Sequence, residues 1–101
     1  MKSMVKGRSL DAPIFLFIGR MLRDKGVQEF VDGAVIVRKI YPAARFQMLG
    51  PTEIDNETAI PLRKVKKWVD EGMVEYLGVT SDVVPFIENA DCIVLPSYRE
   101  G

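Results

Sequence analysis

Four short apolar runs alternate with three segments of helical spacing along these 101 residues, and few architectures accommodate that rhythm. The first run, Pro13-Ile-Phe-Leu-Phe-Ile-Gly19, contains no charged or hydrogen-bonding side chain. A strand reads this way when both of its faces are covered, as in a parallel sheet flanked by helices. From Lys25 to Tyr41 the residues Val27, Phe30, Val31, Ala34, Val35 and Ile40 fall close to helical spacing, and Pro42 stops the pattern. Arg45 to Gly50 alternates as a second strand, and a polar loop spans Pro51 to Thr58. A charged helix is expected from about Pro61 to Glu71, with the proline suited to its first turn. Gly72 ends it, and Met73 to Gly78 reads as a third strand. Thr80 or Ser81 is placed to cap a short helix running through Asn89, with Asp82 favourable in its first turn. The fourth strand is Asp91-Cys-Ile-Val-Leu-Pro96. This alternation predicts βαβ units with right-handed crossovers. The fold class is therefore α/β: a Rossmann-like open parallel sheet of about four strands with helices on both faces. Residues 1–12 read as a linker or tail and 13–101 as one partial domain.

Composition removes several classes of function. Lysine plus arginine and aspartate plus glutamate both number 14, so no basic excess points to nucleic acid. Histidine is absent, which excludes Ser-His-Asp and Cys-His machinery and any histidine metal site. Asp55-Asn56-Glu57 reads as an exposed acidic loop, and no metal site is expected. The single cysteine, Cys92, lies in an apolar run, where a buried and inert thiol is the default. No apolar run approaches the ~20 residues of a membrane span. The first eleven residues lack the apolar stretch of a signal peptide. A cytoplasmic location is expected. Arg63, Lys64, Lys66 and Lys67 are best read as a solvated helix face, with Val65 and Trp68 packing that helix on the sheet; Phe15, Phe17, Phe30 and Phe46 belong to the core.

Ligands of open α/β sheets bind beyond the carboxyl ends of the strands. Three of the four strands end there in glycine, Gly19, Gly50 and Gly78. Tight turns alone explain each of them; together they suggest a lined crevice that a ligand approaches closely. Gly19-Arg-Met-Leu-Arg-Asp-Lys-Gly26 follows the first strand and is no P-loop, lacking that motif's glycine spacing and its Lys-Ser/Thr pair. It sets Arg20 at a strand end and Lys25 at a helix start, a pattern suited to a diphosphate beside the positive end of a helix dipole. A solvated charged turn is the alternative, and it is the reading for Arg23. After the fourth strand comes Pro96-Ser-Tyr-Arg-Glu-Gly101, in which a carboxylate before glycine suits sugar hydroxyls or a plain surface loop.

Phe17-Ile-Gly-Arg-Met-Leu-Arg-Asp-Lys-Gly26 resembles the "GR…KG" element opening the C-terminal domain of family 4 (group 1) glycosyltransferases, which have the GT-B fold. Pro96-Ser-Tyr-Arg-Glu-Gly101 resembles the start of that family's E-x7-E signature. Between them Ala43–Gly50, Val74–Gly78 and Asn89–Pro96 are similar to its strands, in the same order. The resemblance covers roughly Pro13 to Gly101, and the loop Leu49–Ile60 looks most like bacterial members that extend lipid-linked oligosaccharides.

The resemblance implies a retaining transferase that moves a sugar from a UDP- or GDP-sugar to a growing lipid-linked oligosaccharide or cell-surface polysaccharide, with no cofactor. Arg20 and Lys25 would grip the donor's diphosphate, Gly19 would admit its phosphates, and the backbone of Gly78 and Val79 would lie near the base. Glu100 would be the first glutamate of E-x7-E, facing the transferred sugar as the catalytic carboxylate. The implied strand order is 3-2-1-4. The chain is expected to stop before the end of the signature, to lack an N-terminal acceptor domain, and to transfer no sugar alone. The full-length enzyme would touch the inner face of the cell membrane peripherally. Cys92-Ile-Val-Leu95 would be a bare edge inviting self-association. Two other readings stay open: a nucleotide-sugar 2-epimerase fragment, and a non-enzymatic receiver- or flavodoxin-like binding domain.

Overall fold

The computed structural model describes residues 2–5, 12–52 and 57–95. Along the chain run β1 (Lys2–Val5), β2 (Ile14–Ile18), a 3-10 turn (Arg23–Lys25), α1 (Val27–Ile40), β3 (Arg45–Leu49), α2 (Leu62–Asp70), β4 (Glu75–Gly78), α3 (Val84–Asn89) and β5 (Cys92–Leu95). They form one sheet in the order β1-β5-β2-β3-β4. Strands β5, β2, β3 and β4 are mutually parallel, in the order the resemblance implies, and β1 adds an antiparallel edge.

Crossover handedness decides which helix covers which face. The steps β2 to β3 and β3 to β4 go one way, so right-handed connections lay α1 and α2 on the same side. The step from β4 back to β5 reverses direction and puts α3 on the opposite side. Side chains alternate accordingly. Phe17, Phe46 and Met48 are buried beneath α1 and α2 with Val31, Val65 and Trp68, while Ile14, Leu16 and Ile93 are buried towards α3 with Ala90. Phe15 stacks on Phe46 at 4.7 Å, and Phe30 meets the Phe46 ring edge-on at 5.6 Å, so these aromatics form the core as expected. Each fully buried side chain of this size contributes about 1.5–3 kcal/mol.

Polar groups lock the layers. The buried Asp91 accepts a hydrogen bond from the Ile14 amide through Oδ2 (2.8 Å), and its own amide donates to the Ile14 carbonyl (2.8 Å), joining the starts of β2 and β5. Arg38 leaves α1 to donate to the carbonyls of Ala44 and Gly72, with its guanidinium over the Phe46 ring. Cys92 is buried, and that burial pushes its thiol upward from the ordinary value, keeping it protonated.

Two expectations are corrected. The Cys92–Leu95 edge is not bare, because Lys2 pairs opposite Leu95 and Val5 opposite Cys92, within the stretch that reads as a tail. A four-residue edge strand needs no fully apolar run, so it leaves little periodic signal. The α3 cap is also displaced. Asp82 Oδ1 accepts the Val84 amide (3.1 Å), while Thr80 Oγ1 accepts the Asp82 amide (3.1 Å) one step earlier.

Candidate functional site

The direction of the strand order reverses between β2 and β5, and open sheets bind ligands at such a reversal, outside the carboxyl ends. A cleft of about 210 Å³ lies at this carboxyl edge, on the β3 and β4 side of β2 and next to the reversal instead of across it. Ile18, Gly19 and Arg20 line it from the end of β2, Leu49, Gly50 and Pro51 from the end of β3, and Val79, Thr80 and Val83 from beyond β4. That volume is below the ~300 Å³ common for pockets enclosing a whole ligand, so this shelf accommodates part of one. Two larger hollows, about 440 and 410 Å³, follow α2 instead. Topology, not size, favours the smaller cleft.

Backbone hydrogen bonds extend the sheet beyond its strands into this edge. The Gly19 amide donates to Leu49 (3.0 Å), the Gly50 amide to Gly78 (2.8 Å) and the Met21 amide to Pro51 (3.0 Å). The three glycine turns are thereby stitched side by side. Gly50 is required by packing, since a Cβ there would fall on the Gly19 carbonyl. Gly78 is required by conformation: its φ of +83° is left-handed, and nothing crowds the space a Cβ would take. Tyr76 adds a side-chain tie, its hydroxyl donating to the Gly50 carbonyl at 2.5 Å.

The loop that carries Arg20 is clamped from its other side. The Ile60 amide donates to the Met21 carbonyl (2.8 Å), the Arg23 amide to Thr58 (2.8 Å), and Leu22 bridges Ala59 in antiparallel fashion. Met21 and Leu22 are fully buried beneath it. Arg20 itself is exposed at the cleft, and its guanidinium makes no hydrogen bond or ion pair with another described residue. A fixed backbone presenting a solvated cation beside a glycine-lined shelf suits an anion.

The remaining site residues fall as follows. Val79 is largely exposed, 69%, on the opposite wall of the cleft, and Gly78 is the turn leading into it. Lys25 ends the 3-10 turn, half-buried, and does not line this cleft. Arg23 is exposed and donates to the Glu57 carbonyl (3.1 Å), so it braces the loop instead of standing in solvent alone. Glu100, with the rest of 96–101, lies outside the described residues, as do Asp55 and Asn56; Glu57 is exposed. Sequence reasoning missed Tyr76, Thr80 and the bracing role of 58–60. Only the alternation of β4, which turns Tyr76 towards the α2 side, carried a hint of the first.

Residues 12–101 match the family described as glycosyl transferases group 1. The chain is 38% identical over 89 residues to N,N'-diacetylbacillosaminyl-diphospho-undecaprenol alpha-1,3-N-acetylgalactosaminyltransferase of Campylobacter jejuni, covering 88% of this chain. It is 28% identical over 91 residues, 90% of its length, to an uncharacterised glycosyltransferase of Methanocaldococcus jannaschii. In each case it spans 22% of the relative's own length.

Proposed function

Because this chain belongs to the group 1 glycosyltransferases, we propose that it forms the donor side of a retaining sugar transferase, holding the diphosphate of a UDP- or GDP-sugar. The observation that carries this reading is Arg20: an exposed cation on a loop clamped from both sides, at the rim of a glycine-lined cleft. In sugar transfer the bond between the anomeric carbon and the diphosphate breaks, and negative charge grows on the departing phosphate oxygens. A guanidinium already held in place stabilises that charge without reorganising, and such preorganised groups are the largest single contributor in many enzymes. No bound cofactor is needed for this step.

The remaining parts follow the same reading. Gly19 and Gly50 let the phosphates approach the backbone, and Gly78 and Val79 offer the base a flat wall. Lys25, one turn further along, acts on the far phosphate only when a bound donor extends beyond the described cleft. Glu100 is assigned to the transferred sugar. The Campylobacter relative is named for adding N-acetylgalactosamine to a diphospho-undecaprenol-linked sugar; by likeness, the acceptor here is a lipid-linked saccharide, met at the membrane by the full-length enzyme. Among the described residues no helix is long and apolar enough to cross a membrane.

Titration calorimetry with UDP, GDP and their sugars tests the donor reading. Binding is expected for one nucleotide diphosphate and weakened on the order of tenfold or more in Arg20→Ala, since a charge-assisted hydrogen bond contributes about 1.5–3 kcal/mol. Binding of FMN in place of any nucleotide diphosphate, or affinity unchanged by Arg20→Ala, would overturn it.

A further inference from the structure

We propose that the outer face of α2 is a docking surface for an anionic phospholipid membrane, an inference that rests on the lipid-linked acceptor of the reading above. Arg63, Lys64, Lys66 and Lys67 occupy the first two turns of this helix, and all are exposed. None of them makes an ion pair with another described residue, although Asp70 closes the same helix and Glu71 follows as its cap. The chain carries no net charge, so this concentration of cations is local. Carboxylates of α1 in the same helical layer, Glu29 and Asp32, sit on its first half, and Asp32 is engaged by Gln28 at 3.0 Å.

The face also has a shape. A hollow of about 440 Å³ runs along it, with Arg63, Lys64 and Lys67 and a single carboxylate, Glu71, on its rim and Pro61, Trp68 and Met73 forming an apolar floor. Lys64 lies 5.4 Å from the Trp68 ring centroid, which holds its ammonium over the hollow. Headgroup phosphates match cations at that rim. Each basic residue near such a surface contributes about 1 kcal/mol of attraction. Ile36 and Ile40 on α1, 61% and 70% exposed, add apolar surface on the same side of the sheet, while Val69, 38% exposed, lines the second hollow on the other flank of α2 with Lys66 and Asp70.

Position connects this face to the site. The segment entering α2 is the one that clamps the Arg20 loop, through the Ile60 amide on the Met21 carbonyl. The cationic first turns of α2 therefore stand at the same sheet edge as the cleft. Docking there brings the donor beside the bilayer surface from which a lipid-linked acceptor projects.

Vesicle co-sedimentation tests the proposal. The protein is expected to bind vesicles of phosphatidylcholine containing phosphatidylglycerol, to ignore phosphatidylcholine alone, and to release as salt rises. Neutralising the rim (Arg63→Gln, Lys64→Gln, Lys67→Gln) should weaken binding on the order of a hundredfold. Replacing the two lysines by arginine should preserve it. Equal binding to neutral vesicles, no binding at low salt, or retention on RNA in place of vesicles would overturn the inference. Calorimetry on the neutralised variant separates the two readings: donor affinity there should be unchanged. Loss of vesicle binding with donor binding intact in the unmodified protein sinks the docking face alone. Cation-dependent vesicle binding without any donor affinity upholds the face and sinks the donor reading.

Discussion

At the scale of single residues, the edge of the sheet is governed by what glycine permits. Gly50 and Gly78 are both turn glycines, yet for different reasons, and substitution distinguishes them. Alanine at 50 collides with the Gly19 carbonyl, backbone that cannot rotate away, and should destabilise the fold by about 3 kcal/mol. Alanine at 78 meets open space and pays only the left-handed conformation, about 1–2 kcal/mol. Thermal unfolding should therefore rank Gly50→Ala well below Gly78→Ala in midpoint; equal midpoints would contradict the packing argument. Both glycines were visible in the sequence as strand-ending punctuation. Which one packs and which one turns was not, since that depends on strand register. Arg20 and Lys25 illustrate the same boundary. Their spacing suggested a matched pair, but the buried Met21 and Leu22 and the 3-10 turn between them bring only Arg20 to the described cleft.

At the scale of elements, strands β3 and β4 are fastened by a fork. Arg45 Nε and Nη2 each reach a different Glu75 oxygen at 2.8 Å, and Gln47 contributes a longer contact at 3.4 Å. The Arg45 hydrogen bonds hold the Glu75 carboxyl below the usual glutamate range against the opposing effect of burial. A carboxylate with a depressed folded value stabilises the fold above its unfolded value, about 4.3, and that stabilisation fades as pH falls through the folded value. The pair is partly exposed, so solvent screening limits it to under about 1 kcal/mol. Glu75→Gln should lower stability by under about 1 kcal/mol at neutral pH, leave it nearly unchanged well below the folded value, and so flatten the acid limb between them; an unaltered neutral stability and acid limb would show that the fork contributes nothing. Hydrophobic rhythm revealed these elements because each strand and helix must bury one stripe. It concealed Gln47, which is buried within β3 although its type suggests an exposed position.

At the scale of the molecule, four parallel strands were legible because alternation and right-handed crossovers leave few topologies, whereas their order came from the family resemblance. The antiparallel β1 was not, since its partner β5 lies at the other end of the chain and no local pattern announces the pairing. Removing residues 1–5 should bare the β5 edge and raise self-association in light scattering, whereas the intact chain keeps that edge covered. A truncated protein as monomeric as the parent would show that β1 does not guard it. The clamp on the Arg20 loop was equally hidden, because it joins Met21 and Arg23 to Pro51, Thr58 and Ile60 across the sheet edge through backbone groups that carry no side-chain signature.

The account depends on a diphosphate seating where the glycine turns meet, and amide chemical shifts report this directly. On titration with UDP or GDP, the resonances of Gly19, Arg20, Gly50, Val79 and Thr80 should move together in one saturable process, with α2 undisturbed. Shifts confined to the hollow beside Trp68, or none along the cleft at saturating nucleotide, would contradict it.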